Sequence, residues 1–401
     1  MTIVKNLSAG LLSWRRTVIM TVALPLVISL AVMAYAWPAS RIAPRDLPVG
    51  VVGASTAGQN AVEGLAHNKP GGFDFHLYPD QASARSAIKN REVYGAFVVT
   101  TGNVTVLEAT AASTSVAQLL TTTGQQLAAH AAKLPARHAK AAAHTSAGPS
   151  AGKSLAKPVP KVSLRTVDVV STSADDPRGV VFNSALLPLT ICSILIAALI
   201  AMSGAQMPVW RRLIDLLAAC AATGLAAYLV AEGLLGALPH EHLATWGALS
   251  LTMLAISATS VGLITLIGPT GIGLSAALMV FVGNPFSGIT SAPELLPKAV
   301  GDIGQWLPPG AGANLLRSTA YFEGAASGGH IAVLALWSTL GLTAVALGRR
   351  TPAVANETLA AQLAAADGRS ADSPAGNETP TSLPSSPTNR PHSHARHTAQ
   401  E

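Results

Sequence analysis

"TVIMTVALPLVISLAVMAYAW", Thr17 to Trp37, runs for a helical membrane span without a single charge. About 20 apolar residues are enough to carry a helix across the hydrocarbon core of a bilayer. Arg15 and Arg16 precede the run, while Tyr35 and Trp37 mark an aromatic interface at its far end. A cleaved signal peptide is the rival reading, since Ala34-Tyr35-Ala36 resembles a cleavage site. The apolar region is longer than the roughly 7–15 residues of a signal peptide, so an uncleaved anchor is expected.

The whole composition agrees with a membrane protein. Of 401 residues, 49% are hydrophobic and only 11% charged, with mean hydropathy +0.41; soluble domains carry about a quarter charged residues. The net charge of +6 and 4% aromatics come without basic–aromatic interleaving, which argues against a nucleic-acid partner. Cys192 and Cys220 both lie in apolar runs, so neither a disulfide framework nor a CxxC site is present.

Further spans are expected at 184–202, 213–235, 243–267, 271–289 and 330–347, after the first at 17–37. Arg15/Arg16, Arg211/Arg212 and Arg349/Arg350 fall on one side of this six-span arrangement, whereas the opposite loop Pro239–His242 has no Lys or Arg. The positive-inside rule then puts both termini in the cytoplasm. The fifth run is short, about 13 apolar residues or 20 Å of helix, and Asn284-Pro285 reads as a break in it. Segment 290–329 is expected to be re-entrant or extracytoplasmic. After Pro308-Pro309, Leu315, Leu316 and Thr319 share one helical face and Arg317 points elsewhere, as in an amphipathic helix with Arg317 at the polar surface.

Segment 38–181 is expected outside the membrane. Strands are read at Leu47–Gly53, Phe73–Asp80, Val93–Thr100, Asn103–Thr110 and Ser163–Thr172, with helices at Gly58–Asn68, Gln81–Glu92 and Ser113–Leu134. This alternation predicts an α/β domain with a flexible 135–160. Residues 1–16 read as an N-terminal interfacial segment and 351–401 as a disordered cytoplasmic tail. The three histidines at 392, 394 and 397 read as part of that tail rather than as a metal site.

"GPSAGKS" (Gly148–Ser154) looks like a phosphate-binding loop but has three residues, not four, before Gly-Lys, and lacks the strand–loop–helix context. The chain is therefore expected to hydrolyse no nucleotide itself; no catalytic, metal or cofactor residue is assigned. Asp215 lies four residues after Arg211 and three after Arg212, on one helical face. It reads as a local pair at the membrane edge, or as a contact with a cytoplasmic partner. Glu232, near the outer end of the same span, either snorkels or lines a polar cavity.

Taken as a set, "GPTG" (Gly268–Gly271), "GNPFSG" (Gly283–Gly288), "PELLP" (Pro293–Pro297) and "WLPPGAGANLLRS" (Trp306–Ser318) resemble the permeases of ABC-2-type transporters. The large insertion after the first span is similar to the phage-infection-protein-like branch and related actinobacterial membrane proteins. The resemblance implies a six-span α-helical permease of the plasma membrane with an extracytoplasmic α/β domain between spans one and two, and re-entrant helices after span five. It further implies a homodimer or heterodimer of permease units, contact with membrane lipids, and a separate cytoplasmic ABC ATPase that drives export of an amphipathic or lipid-like substrate. Arg211, Arg212 and Asp215 are then candidates for ATPase coupling. Glu232, Asn284, Pro285, Pro308, Pro309 and Arg317 are candidates for the translocation path or outer gate. The other class of function is a membrane-anchored surface protein whose α/β domain binds a ligand without transport.

Overall fold

The computed structural model describes residues 2–52, 63–64, 70–100, 103–145, 163–203, 207–238 and 241–348. Within the first and third helices, side chains are described for 21–39 and 114–129. The described residues belong to one compact unit; residues 351–401 lie outside the described residues. So do the expected phosphate-loop lookalike, residues 146–160 of the expected flexible 135–160 (its first part, 135–145, is helical), most of the 58–68 helix and the histidine tract.

Helix α1 covers Thr2–Ala39, so the expected interfacial segment and first span form one continuous backbone helix. Among the described residues, five helices are long and apolar enough to cross a membrane: Thr21–Ala39 of α1, α4 (Val180–Ser203), Val209–Leu234, α6 (His242–Ile267) and α10 (Gly328–Leu347). Asp176 starts α4, its carboxylate accepting from the N–H groups of Val180 at 2.7 Å and Val181 at 2.9 Å. The third of these helices begins as α5 (Val209–Tyr228) and ends in a π turn, Leu229–Leu234. A shorter apolar helix, α7, runs from Thr270 to Phe286.

Helix α6 is the centre of the bundle, with 56% of its most apolar window buried against 6% for α1. Small residues let its neighbours come close. A Cβ on Gly341 of α10 would meet the Ala258 carbonyl carbon at 2.3 Å, the kind of small-residue contact that brings membrane helices together. Two of the hydroxyls of α6 are satisfied locally, Thr252 donating to the Ala248 carbonyl and Thr259 to that of Ala255, both at 2.7 Å.

Between α1 and α4 in the chain lies a five-stranded sheet in the order β2-β1-β3-β4-β5. Its strands are β1 (Leu47–Val52), β2 (Phe73–Tyr78), β3 (Gly95–Thr100), β4 (Asn103–Glu108) and β5 (Ser163–Asp168). Only β3 and β4 pair antiparallel; the other neighbours are parallel. Helices α2 (Gln81–Lys89) and α3 (Thr114–Thr145) accompany it. Leu47, Val49, Phe97, Val106 and Leu120 form a core within this α/β domain. A second cluster joins Ile88, Val93 and Leu107 of the domain to Phe182, Leu315 and Phe322 of the helical part. The domain is therefore packed on the bundle rather than merely tethered to it.

Candidate functional site at the domain–bundle junction

The segment after α7 folds back as a short 3₁₀ turn (Pro293–Leu295), helix α8 (Lys298–Gln305) and helix α9 (Pro308–Tyr321). Leu307 caps α9 in an extended conformation, and Pro308 and Pro309 occupy its first positions, where a missing N–H costs nothing and the fixed φ suits the helix. Close chain crossings hold the turn. A Cβ on Gly304 would sit 1.8 Å from the Phe286 carbonyl oxygen, and one on Gly310 2.1 Å from that of Gly304.

Two expectations need correction here. Asn284-Pro285 does not break the fifth helix: α7 continues through to Phe286, and the chain turns at Ser287 and Gly288, whose φ is +68°. The π turn Ala277–Gly283 explains this. In that register Asn284 N–H reaches the Met279 carbonyl, so the donor missing at Pro285 would have served Val280. Tyr35 of α1 supplies it instead, its hydroxyl donating to the Val280 carbonyl at 2.8 Å.

Arg317, expected at the polar surface, is 3% exposed, and all 14 residues of α9 are buried. Phe182 of α4 and Ile289 cover the face that sequence periodicity assigns to water, with Arg91 of the α/β domain on Asn314 and Ser318. Arg317 donates to the Ile289 carbonyl at 3.0 Å and lies 5.0 Å over the Phe182 ring, so a carbonyl and an aromatic face partly compensate its charge.

Arg91 approaches from the α/β domain. It sits in the turn after α2 with φ +61°, in the left-handed region that few non-glycine residues adopt and that is often retained at functional positions. Its guanidinium donates to the Asn314 carbonyl at 3.0 Å, to Asn314 Oδ1 at 2.8 Å and to the Ser318 hydroxyl, and it lies 5.4 Å over the Phe322 ring. Arg317 donates to the same Asn314 Oδ1 at 3.4 Å. Asn314 Nδ2 in turn donates to Gln305 Oε1 at 2.6 Å, and Gln305 to the Ser287 carbonyl at 3.1 Å. One polar chain thus connects the domain, helices α8 and α9 and the end of α7.

A cleft of about 360 Å³ opens beside this chain, with Arg45, Arg91, Tyr94, Glu294, Gln305 and Asn314 in its wall. Lys298 and Asp46, both exposed, close one lip with a 3.1 Å ion pair. Tyr94 donates to Glu294 Oε2 at 2.7 Å. Burial holds the Tyr94 hydroxyl well above its ordinary pKa, with the Glu294 charge adding to the effect. Burial also lowers that of Arg91, while Tyr94 and Glu294 act in the opposite direction.

The remaining candidates stand apart from this junction. Glu232 accepts from the Leu238 N–H at 2.8 Å and so caps the turn that ends the third span. Asn284 is 8% exposed, with its Nδ2 buried and without a hydrogen-bond partner among the described residues. Pro309 packs on Gly283: a Cβ there would be 2.7 Å from its ring. Arg211 and Asp215 are exposed and Arg212 is half-buried. Among the described residues, no ion pair joins Asp215 to either arginine, contrary to the local pair that spacing suggests. Instead, the backbone N–H groups of Arg211 and Arg212 bond the Pro208 carbonyl at 3.1 and 3.3 Å, in the first turn of α5.

Apolar helices of this length define a multi-pass membrane protein. Residues 15–210 match the family model described as ABC-2 family transporter protein. That stretch, from the first span to the start of the third, is similar to the membrane region of ABC-2 family transporters and supports an ABC-2-type permease, and the resemblance read from the later Pro- and Gly-rich motifs points to the same family. Neither the curated proteins nor the solved structures contain a significant match.

Proposed function

We propose that the chain is the permease subunit of an ABC-2-type exporter that moves an amphipathic or lipid-like substrate outward. A separate cytoplasmic ATPase supplies the energy, as in this family generally, and two permease units work together. Both termini lie in the cytoplasm and the α/β domain outside the plasma membrane. The observation that carries this reading is the ABC-2 match over 15–210, combined with a bundle whose short α7 and buried α9 have polar groups on the bundle side of the domain junction. Irregular backbone at membrane depth is stable only where protein or a watery cavity surrounds it, which suits a translocation pathway.

Arg211 and Arg212 are the proposed ATPase contact, with Asp215 beside them. Cations in the first turn of a helix oppose its dipole, so these arginines do not serve the stability of α5. Their positions suit a cytoplasmic partner and an orienting role.

Recovery of an ATPase subunit with the full chain from native membranes, and loss of lipid export on deletion, test the reading. Charge reversal at Arg211 and Arg212 is expected to lower ATPase recovery at least tenfold with the fold intact. Normal export in the deletion strain, with no ATPase recovered, would leave a ligand-binding surface protein instead.

A further inference from the structure

We infer that the cleft between the α/β domain and α8–α9 binds the phosphodiester headgroup of a membrane lipid, with Arg91 as its anionic anchor. The inference depends on the chain being a membrane protein and not on transport; it stands equally for a headgroup that is bound and never moved.

The first observation is how the charges are paired: the three cations of the cleft wall, Arg45, Arg91 and Lys298, face three carboxylates, Asp46, Glu294 and Asp302, yet only Lys298 forms an ion pair there. Arg45 donates to the carbonyls of Ala43, Leu295 and Arg41 at 3.0, 2.8 and 2.8 Å. Arg91 is held by Asn314 and Ser318, and Arg317 by Ile289 and Asn314. Among the described residues, no carboxylate forms an ion pair with any of these three arginines. Buried guanidinium groups are ordinarily paired with an anion. Here Arg91, half-buried in the cleft wall, and Arg317, buried outside that wall, converge on one neutral amide oxygen, and the nearby carboxylate Glu294 is engaged by Tyr94. An anionic oxygen entering the cleft supplies the missing partner, and a guanidinium fork suits a phosphate geometrically.

The second observation is size and position. A volume of about 360 Å³ lies within the range of small-ligand sites. Helix α8 turns Lys298, Asp302 and Gln305 to the cleft, at the i, i+4, i+7 spacing of one helical face. On its other side Ile303 is 50% and Trp306 65% exposed. An exposed tryptophan beside exposed aliphatic surface is the mark of a membrane interface. Trp37 gives the same mark at the end of α1, with Arg41 stacked 5.3 Å over it, four residues before Arg45. The cleft therefore lies where lipid headgroups lie.

The third is the sign of the lip. Asp46, Glu294 and Asp302 share the cleft with the cations. They repel a dianion more than a singly charged diester, which favours a lipid headgroup over free phosphate.

Purified full-length protein in a neutral detergent is titrated separately with short-chain phosphatidylglycerol, soluble glycerophosphoglycerol and inorganic phosphate, with tryptophan fluorescence as readout. Saturable binding is expected for the first two, tighter for the lipid, and much weaker for phosphate. Arg91→Gln should weaken lipid binding about tenfold, the worth of a charged hydrogen bond. Because Arg91 also holds α9, a second variant guards against misfolding: Asp302→Lys, at the exposed lip, should tighten lipid binding roughly threefold, a surface charge effect. Absence of saturable lipid binding, phosphate bound as tightly as lipid, or affinities unchanged in both variants would overturn the inference. Loss of export with binding intact would count against the transport reading alone.

Discussion

Arg91 Nη2 lies 2.8 Å from Asn314 Oδ1, although 223 residues separate the two. The contact ties the α/β domain to helix α9, and its removal leaves Asn314 and Arg317 to rearrange. Arg91→Ala is expected to destabilise the protein by about 2 kcal/mol, typical of hydrogen bonds to a charged group. Asn314→Ala should cost a comparable amount, and the double variant much less than the sum. Thermal unfolding of the detergent-solubilised protein measures this; strict additivity would mean that the two residues do not act together.

Tyr35 and Pro285 form a second pair across the fold. Tyr35→Phe leaves the Val280 carbonyl without its donor and should cost about 1 kcal/mol. Pro285→Ala restores a backbone N–H in the π register, so Tyr35→Phe should cost little in that background. An equal loss of melting temperature in both backgrounds would contradict the assignment of the tyrosine as a substitute donor.

The close crossings make a steric prediction. A methyl at Gly304 would stand 1.8 Å from the Phe286 oxygen, whereas one at Gly329 meets nothing within 4 Å. Gly304→Ala should sharply reduce the yield of monodisperse protein by gel filtration, and Gly329→Ala should not. Comparable yields would show that α7 and α8 are not in contact.

Glu108 at the end of β4 provides a pH test. Burial raises its pKa above the ordinary 4.5, opposed by the Thr121 hydroxyl and assisted by the Asp168 charge. A raised folded-state pKa means that its contribution is fully present below the ordinary value and is lost as pH rises through the folded one. Glu108→Gln keeps an acceptor for Thr121 and removes the charge, so its stability advantage over wild type should grow as pH rises above 4.5. Melting curves in steps from pH 4 to 8 would show parallel behaviour if Glu108 were fully solvated.

The membrane helices were legible in the sequence because hydropathy and length alone mark them, and period-two runs such as Leu47–Val52 and Phe73–Tyr78 marked strands. Residue spacing also placed a helix after Pro308-Pro309. Burial of that helix was not legible: the face bearing Arg317 looks solvent-exposed until Phe182 and Ile289, distant in the chain, are packed on it. Arg91 carried no local signal, since its partners are in a segment more than two hundred residues away. The π turns escaped for a related reason. Periodicity does not register one residue gained in a helix, so Asn284-Pro285 read as a stop when Tyr35 makes passage possible. Spacing likewise overstated the Arg211–Asp215 pair, because side chains at a helix start are free to turn to solvent.

The most direct test of the account is outward lipid movement in vesicles that contain the full chain and the ATPase recovered with it. The account predicts ATP-dependent transfer of labelled lipid, lost when Arg211 and Arg212 are both reversed in charge while the protein stays folded. Transfer that ignores ATP, or that persists unchanged in the reversed variant, would contradict it.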